Sequence, residues 1–271
     1  AGPFFRAPSP LRYVQHHLPA HRVTLPWLGS SDPFPPITSA WDGTTPAPGL
    51  LAAGGGLGVE RLCSAYAQGI FPWYSEGQPI LWWSPDPRMV LEVARFLVHR
   101  SLRQTLRRFR LAQDSEIRID FDFPGVMAAC AATPRPGQDG TWIGSDMIAA
   151  YTRLHEAGHA HSVETWVGGR RLGGLYAVAI GRAVFGESMF SLVPDASKIA
   201  LAALVALCRA QGVRYIDCQQ NTPHLAHLGA CEMPRSTFLA HVARARQEPP
   251  LDWRFEPLYW DEVLRPAPAA A

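Results

Sequence analysis

The segment running from about residue 182 to 219 constrains this chain most. Gly186-Glu187-Ser188-Met189-Phe190-Ser191 reads as a strand carrying one carboxylate among large apolar residues. The chain breaks at Pro194 and restarts at Ser197 as an Ala- and Leu-rich helix to about Gln211. A second strand over 213–219 ends in Tyr215-Ile216-Asp217-Cys218-Gln219. Strand side chains alternate between faces, so Asp217 and Gln219 are expected to point the same way. Two strands with inward polar groups, joined by a helix, fit a small-substrate site built into a sheet. They fit equally a pair of satisfied buried polar groups in an ordinary α/β core.

The rest of the chain surrounds this unit with alternating elements. Helices are expected at Val59–Gln68, about 100–110, 123–132, 145–157 and 234–246, and strands near 116–120, 160–168, 171–180 and 182–190. Residues 1 to about 48 are proline-rich and cannot hold long helices or central strands; an extended arm on the body is expected, partly mobile near Ala1. Gly54-Gly55-Gly56 lacks the Lys-Ser/Thr of a P-loop and is read as a turn. Phe71–Arg88, aromatic and punctuated by proline, suits a rigid loop or short hairpin, and a domain boundary is placed near Pro87.

At 271 residues there is ample core for one large domain or two modest ones. No run of eighteen apolar residues occurs, so no membrane span is expected. The N-terminus lacks a basic region followed by an apolar stretch, so no secretory signal is read. Five cysteines without a CxxC fit reduced thiols in a cytoplasmic protein, with Cys208 and Cys218 in the core. A formal charge of +2 says little about nucleic acid, but its distribution says more: Lys198 is the only lysine, and Arg100, Arg103, Arg107 and Arg110 recur at helical spacing, with Arg108 beside them. Leu102, Leu106 and Phe109 form the opposite, packing side of that helix. The stripe is either a solvated charged face or a phosphate contact suited to the planar fork of arginine.

The wording of several segments adds an identification. GESMFS, then DASKIAL, then IDCQ followed by Thr222-Pro223-His224-Leu225 and Leu228-Gly229-Ala230, resembles the leucyl/phenylalanyl-tRNA–protein transferase family. Phe71-Pro72-Trp73-Tyr74, Leu81-Trp82-Trp83-Ser84-Pro85-Asp86-Pro87-Arg88, Thr141-Trp142-Ile143 and His159-Ala160-His161-Ser162-Val163-Glu164 carry the same likeness, in order, from about Pro48 to Leu239.

The resemblance implies an α+β protein: a small N-terminal domain over 1–87, then a GNAT-like acyltransferase domain over 88–271 with a mixed sheet flanked by helices. It implies transfer of Leu or Phe, with tolerance of Met unsurprising, from aminoacyl-tRNA to the N-terminal amine of proteins beginning with Arg or Lys, which marks them for degradation. The partners would be Leu-tRNA and Phe-tRNA and those acceptor proteins, in the cytoplasm, with no cofactor and no metal, because an aminoacyl ester is already activated.

Residue by residue, the resemblance makes Asp217 and Gln219 the pair that holds the attacking amine, with Gln219 an orienting hydrogen-bond acceptor and Asp217 a source of negative charge. Glu187 would bind the α-amino group of the donor; the competing role is a structural ion pair with Lys198 or an arginine. Trp73 and Trp142 would stack on the terminal adenosine, unless each is plain core. Leu175, Val184, Met189, Leu201 and Leu204 would line the Leu/Phe pocket, and Thr222 would lend a hydroxyl near the centre. Val184 and Met189 are five apart, so a bulge must intervene if both face one pocket. Aliphatic Val184 and Leu204 stand where the family often has aromatics, and Phe185 is expected to refill part of that space. Arg100, Arg103, Arg107 and Arg108 become the contact for the acceptor stem.

Rival readings are weaker. His155-Glu156-Ala157-Gly158-His159 spells HExxH, but Gly158 sits where a helix would end, so the two histidines are not expected to share a metal; the family carries these letters without being zinc enzymes. A CoA-dependent acetyltransferase needs a glycine-rich pyrophosphate turn, and Leu192–Ser197 holds no glycine. A tRNA-dependent ligase acting on a cell-wall type acceptor would share fold and donor. A non-catalytic aminoacyl-tRNA binder would lack Asp217 or Gln219.

Overall fold

The computed structural model describes residues 24–133 and 143–264. Trp142, the chain's first and last segments and the arm up to residue 23 lie outside these residues. A strand β1 (Trp27–Leu28) runs parallel to β2 (Leu50–Gly54), whose end turns through Gly54, Gly55 and Gly56, all at positive φ. Helix α1 (Val59–Tyr66) follows, then strands β3 (Phe71–Pro72) and β4 (Leu81–Trp83), which pair as the expected hairpin. These strands form a four-stranded sheet in the order β1-β2-β4-β3.

A seven-stranded sheet begins at β5 (Arg88–Glu92). It is followed by α2 (Arg100–Leu111), β6 (Ser115–Ile119), α3 (Phe123–Ala132), α4 (Ser145–Glu156), β7 (Ala160–Val167), β8 (Arg170–Ile180), β9 (Ala183–Ser191), α5 (Ala196–Ala210), β10 (Tyr215–Gln219), α6 (Pro223–His227), β11 (Cys231–Met233), α7 (Arg235–Ala245) and α8 (Trp260–Leu264). The strand order is β11-β5-β10-β9-β8-β7-β6. Only β9 and β10 pair in parallel, across the α5 crossover; the other neighbours are antiparallel. This is the α+β arrangement of mixed sheets flanked by helices. Among the described residues no helix is long and apolar enough to cross a membrane.

The two faces of the larger sheet bury separate clusters. Leu175, Val184, Ile216 and the α5 residues Leu201 and Leu204 pack on one face, together with Leu102, Leu106 and Phe109 of α2. Phe185, Tyr176, Val90, Phe123 and Phe238 pack on the other, in continuity with the small sheet and with Tyr66 of α1. Four strands, β1, β2, β5 and β11, were not read from the sequence. The buried run Arg88–Leu91 shows no hydrophobic alternation, and Leu50–Gly54 was masked by its glycine-rich exit.

Candidate active site

Two bulges create the site. In β9 the partner of Tyr176 is Ser188 and that of Ala177 is Gly186, so Glu187 is the extra residue. The bulge required by Val184 and Met189 is therefore present, and both side chains join the same apolar cluster with Leu175, Leu201 and Leu204. In β10 the partner of Asp217 is Val90 and that of Gln219 is Met89, which leaves Cys218 as the extra residue; Gln219 sits at φ 56°. Asp217 and Gln219 thus converge through a bulge rather than by simple alternation.

Strands β9 and β10 pair only at Val184↔Ile216 and Phe185↔Asp217. Beyond that point side chains span the gap: Gln219 Nε2 donates to Glu187 Oε1 at 3.1 Å. The Gln219 backbone N–H donates to Asp217 Oδ1 at 3.0 Å. Gln219 and Glu187 are half-buried at the mouth of this gap, while Asp217 is fully buried behind it.

Asp217 is not a free negative charge, and this corrects the sequence expectation. Arg88 donates through Nε to Oδ1 at 2.7 Å and through Nη2 to Oδ2 at 2.6 Å, a bidentate pair in which both side chains are excluded from solvent. The guanidinium lies between the rings of Phe71 and Phe238, 4.8 and 4.7 Å from their centroids, and also donates to the Gly69 carbonyl. Asp217 is thus charge-compensated by Arg88 and fixes the backbone of Gln219.

Glu187 is not in an ion pair with Lys198, which instead donates to Asp195 at 2.7 Å. Its carboxyl is hydrogen-bonded to the hydroxyl of Tyr66, which in turn is hydrogen-bonded to the hydroxyl of Tyr151. Burial pushes the Glu187 pKa up to about 8; the Tyr66 bond and Arg88 work against the rise, and the negative charge of Asp217 adds to it. Burial, and next the charge of Glu187, hold both tyrosine hydroxyls well above their ordinary range. Tyr66, Tyr151 and Arg88 were all missed as site residues. Their sequence signal was an apolar helix face or a motif end, and only the tertiary fold brings Tyr66 of α1 to Glu187, Tyr151 of α4 behind Tyr66, and Arg88 of β5 to Asp217.

The aliphatic set and the polar set lie on opposite faces of β9–β10, on either side of the point where the pairing ends. Phe185 is corrected by this geometry: it faces Tyr66, ring centroids 5.0 Å apart, and does not share the cluster of Val184 and Leu204. Thr222 is exposed and caps α6, accepting from the Leu225 N–H at 3.3 Å. Trp73 is half-buried against Trp83, centroids 5.5 Å apart, while Trp83 donates to the Trp73 carbonyl. Trp142, its expected partner, lies outside the described residues.

The basic helix divides in two. Arg100, Arg107 and Arg108 are exposed. Arg103 is half-buried and donates to the carbonyl of Leu264 at 3.0 Å, and Arg110 pairs with Asp261 at 2.6 Å. These two hold the C-terminal helix α8. The HExxH segment behaves as expected from Gly158: α4 ends at Glu156, Gly158 has φ 80°, and His159 lies beyond the helix.

Comparison with known proteins is consistent over nearly the whole chain. Residues 90–243 match the family model of the leucyl/phenylalanyl-tRNA protein transferase, and residues 55–86 match its N-terminal domain. The chain is 60% identical over 242 residues to the leucyl/phenylalanyl-tRNA–protein transferase of Albidiferax ferrireducens, covering 89% of this chain and 95% of that one. It is 57% identical over 240 residues to the protein of the same name from Polaromonas sp., covering 89% and 94%. With that of Burkholderia cenocepacia it shares 58% identity over 247 residues, covering 91% and 97%. The chain belongs to the leucyl/phenylalanyl-tRNA–protein transferase family.

Proposed function

We propose that this chain transfers Leu or Phe from its aminoacyl-tRNA to the N-terminal amine of proteins beginning with Arg or Lys, generating a degradation signal. The observation that carries the reading is the convergence of Glu187 and Gln219 across the open gap between β9 and β10, with an aliphatic cluster on its far side. A gap between adjacent central strands gives an acyl side chain a way into the sheet, which supports a GNAT-like acyltransferase domain over 88–271, preceded by a small domain over 1–87.

In the reaction the acceptor nitrogen attacks the ester carbonyl, a C–N bond forms, and the bond to the 3′ oxygen of the tRNA breaks. The amine loses a proton and the leaving oxygen gains one. A free α-amine titrates near pH 7.7–8.0, so a useful neutral fraction exists without a strong base. Gln219, already donating through Nε2, presents its carbonyl oxygen to an amine N–H and orients the lone pair. Glu187 is poised near the pKa of an amine, so it binds a cationic amine once that amine supplies the compensating charge, and it holds a proton otherwise. Which of the two amines it meets follows the family: the α-amino group of the donor. Tyr66 and Tyr151 fix the carboxyl from behind, and the Asp217–Arg88 pair fixes the backbone of Gln219.

Leu175, Val184, Met189, Leu201 and Leu204 take the Leu or Phe side chain. Trp73, with Trp142, stacks on the terminal adenine, and Thr222 sets the edge of the site through its cap. The exposed Arg100, Arg107 and Arg108 contact the acceptor stem. The test is transfer of labelled leucine from Leu-tRNA to a peptide beginning with Arg, with an Ala-initial peptide as control. Label on the Arg peptide alone is expected; label on neither, with tRNA still bound, refutes the reading.

A further inference from the structure

The first histidine of the HExxH segment does have ligand-type neighbours, but not the one the motif names. His155, at the end of α4, lies beside His161 of β7 and Asp120, which immediately follows β6. One donor atom from each lies within 4.8 Å of the others. Asp120 Oδ2 is 2.7 Å from His161 Nδ1, and Asp120 Oδ1 is 3.8 Å from His155 Nδ1. We propose that Asp120, His155 and His161 form a binding site for a divalent transition cation of the zinc class, separate from the transfer site.

The donor spacing supports this. Bonds of about 2.0–2.1 Å in a tetrahedral shell put ligand atoms about 3.3–3.4 Å apart. The separations of 2.7 Å from Asp120 Oδ2 and 3.8 Å from Asp120 Oδ1 fall on either side of that value, and one donor from each residue lies within 4.8 Å of the others, so the set closes onto one ion by side-chain rotation. The donor set of two imidazoles and one carboxylate favours zinc, nickel or cobalt over magnesium or calcium, which prefer all-oxygen shells.

The three ligands are also held by their surroundings rather than free on the surface. Asp120 sits at φ 57°, a left-handed conformation that an aspartate keeps only when its neighbours fix it. Here Ser162 does so twice: its N–H donates to Asp120 Oδ1 at 2.8 Å, and its carbonyl accepts from the Asp120 N–H at 3.1 Å. The His155 ring is stacked on Phe123 at 4.5 Å and 3°, and the His161 ring on Trp253 at 4.0 Å and 9°. This stacking sets the orientation of both imidazoles. Binding exchanges the His161–Asp120 hydrogen bond and the His155–Ala160 hydrogen bond for coordination through Nδ1, each ring then carrying its N–H on Nε2. Trp253 belongs to the stretch leading to α8, so an ion here would also pin the C-terminal tail to the sheet.

The experiment uses the full chain, treated with chelator and then titrated with Zn²⁺ by calorimetry, and with Co²⁺ by visible absorption. The wild-type chain is expected to take up one equivalent with tetrahedral-type cobalt bands, and H155Q and H161Q are each expected to weaken uptake at least tenfold. H155Q leaves the Asp120–His161 bond in place, so it decides the matter if circular dichroism shows that H161Q does not fold. No saturable uptake by the wild-type chain overturns the proposal. So does uptake that H155Q leaves unchanged, because the ion would then sit on other groups such as the exposed Cys231.

Discussion

Replacing Glu187 with Gln isolates the electrostatic burden of the site. The Glu187 carboxyl is raised from an ordinary 4.5 to about 8, with burial as the main cause. Between those two values the native chain keeps the proton while the unfolded chain releases it. The unfolded state then binds fewer protons, and stability falls as pH rises. The stability associated with the protonated carboxyl is thus complete below about pH 4.5 and is lost progressively up to about pH 8. At about 1.36 kcal/mol per unit, the full interval sets a ceiling of about 5 kcal/mol. Glu187 is only half-buried at the mouth of the gap, so solvent screening brings the expected effect to about 2–3 kcal/mol. Gln cannot titrate, yet it keeps an oxygen for Tyr66 and nearly the same volume. Urea unfolding of both proteins from pH 4 to 9 should therefore show the variant close to the wild type at the acid end and more stable by that amount above pH 8. A difference that stays constant across the range would refute the claim that Glu187 is buried with a displaced pKa. Transfer activity should be lost in the same variant, so stability and function should move in opposite directions.

Two further outcomes follow from the buried pair and the basic helix. Arg88→Met leaves the Asp217 carboxylate buried without a partner and should cost about 3–5 kcal/mol in urea unfolding, while Arg88→Met with Asp217→Leu should recover much of it; a loss in the double variant equal to the sum of the losses in Arg88→Met and Asp217→Leu alone would show that the pair is not coupled. Arg107→Ala should weaken tRNA binding and lower the salt slope by about one. Arg103→Ala should instead loosen α8 and speed proteolysis near residue 264 with little change in that slope, and a slope change as large as that of Arg107 would overturn the division of the helix.

Much of the architecture was legible in the sequence because it is local. The α2 stripe, the α5 helix after Pro194 and the β7–β8–β9 meander follow from periodicity and from the turns at Gly168-Gly169 and Gly181. A bulge somewhere between Val184 and Met189 was legible as a condition, because the two cannot share a face without one; that Glu187 is the extra residue was not. What was not legible depends on contacts across long sequence distances. Arg88 meets Asp217 from 129 residues away, and nothing in either segment announces that one arginine neutralises one aspartate. Tyr66 and Tyr151 read as apolar helix residues until α1 and α4 are packed against β9. Phe185 was misassigned because adjacency in sequence to Val184 was taken as adjacency in space, whereas neighbouring strand residues face apart.

The extra residue in β9 has a consequence for how such a chain can vary. A bulge lengthens one strand without moving the partners on either side of it. Removing Glu187 alone would leave Gly186 opposite Ala177 and Ser188 opposite Tyr176 and restore plain alternation, so Met189 and Phe190 would keep their present faces. The packing of β9 on its two faces therefore does not need the extra residue; what the sheet would lose with it is the carboxylate at the mouth of the gap.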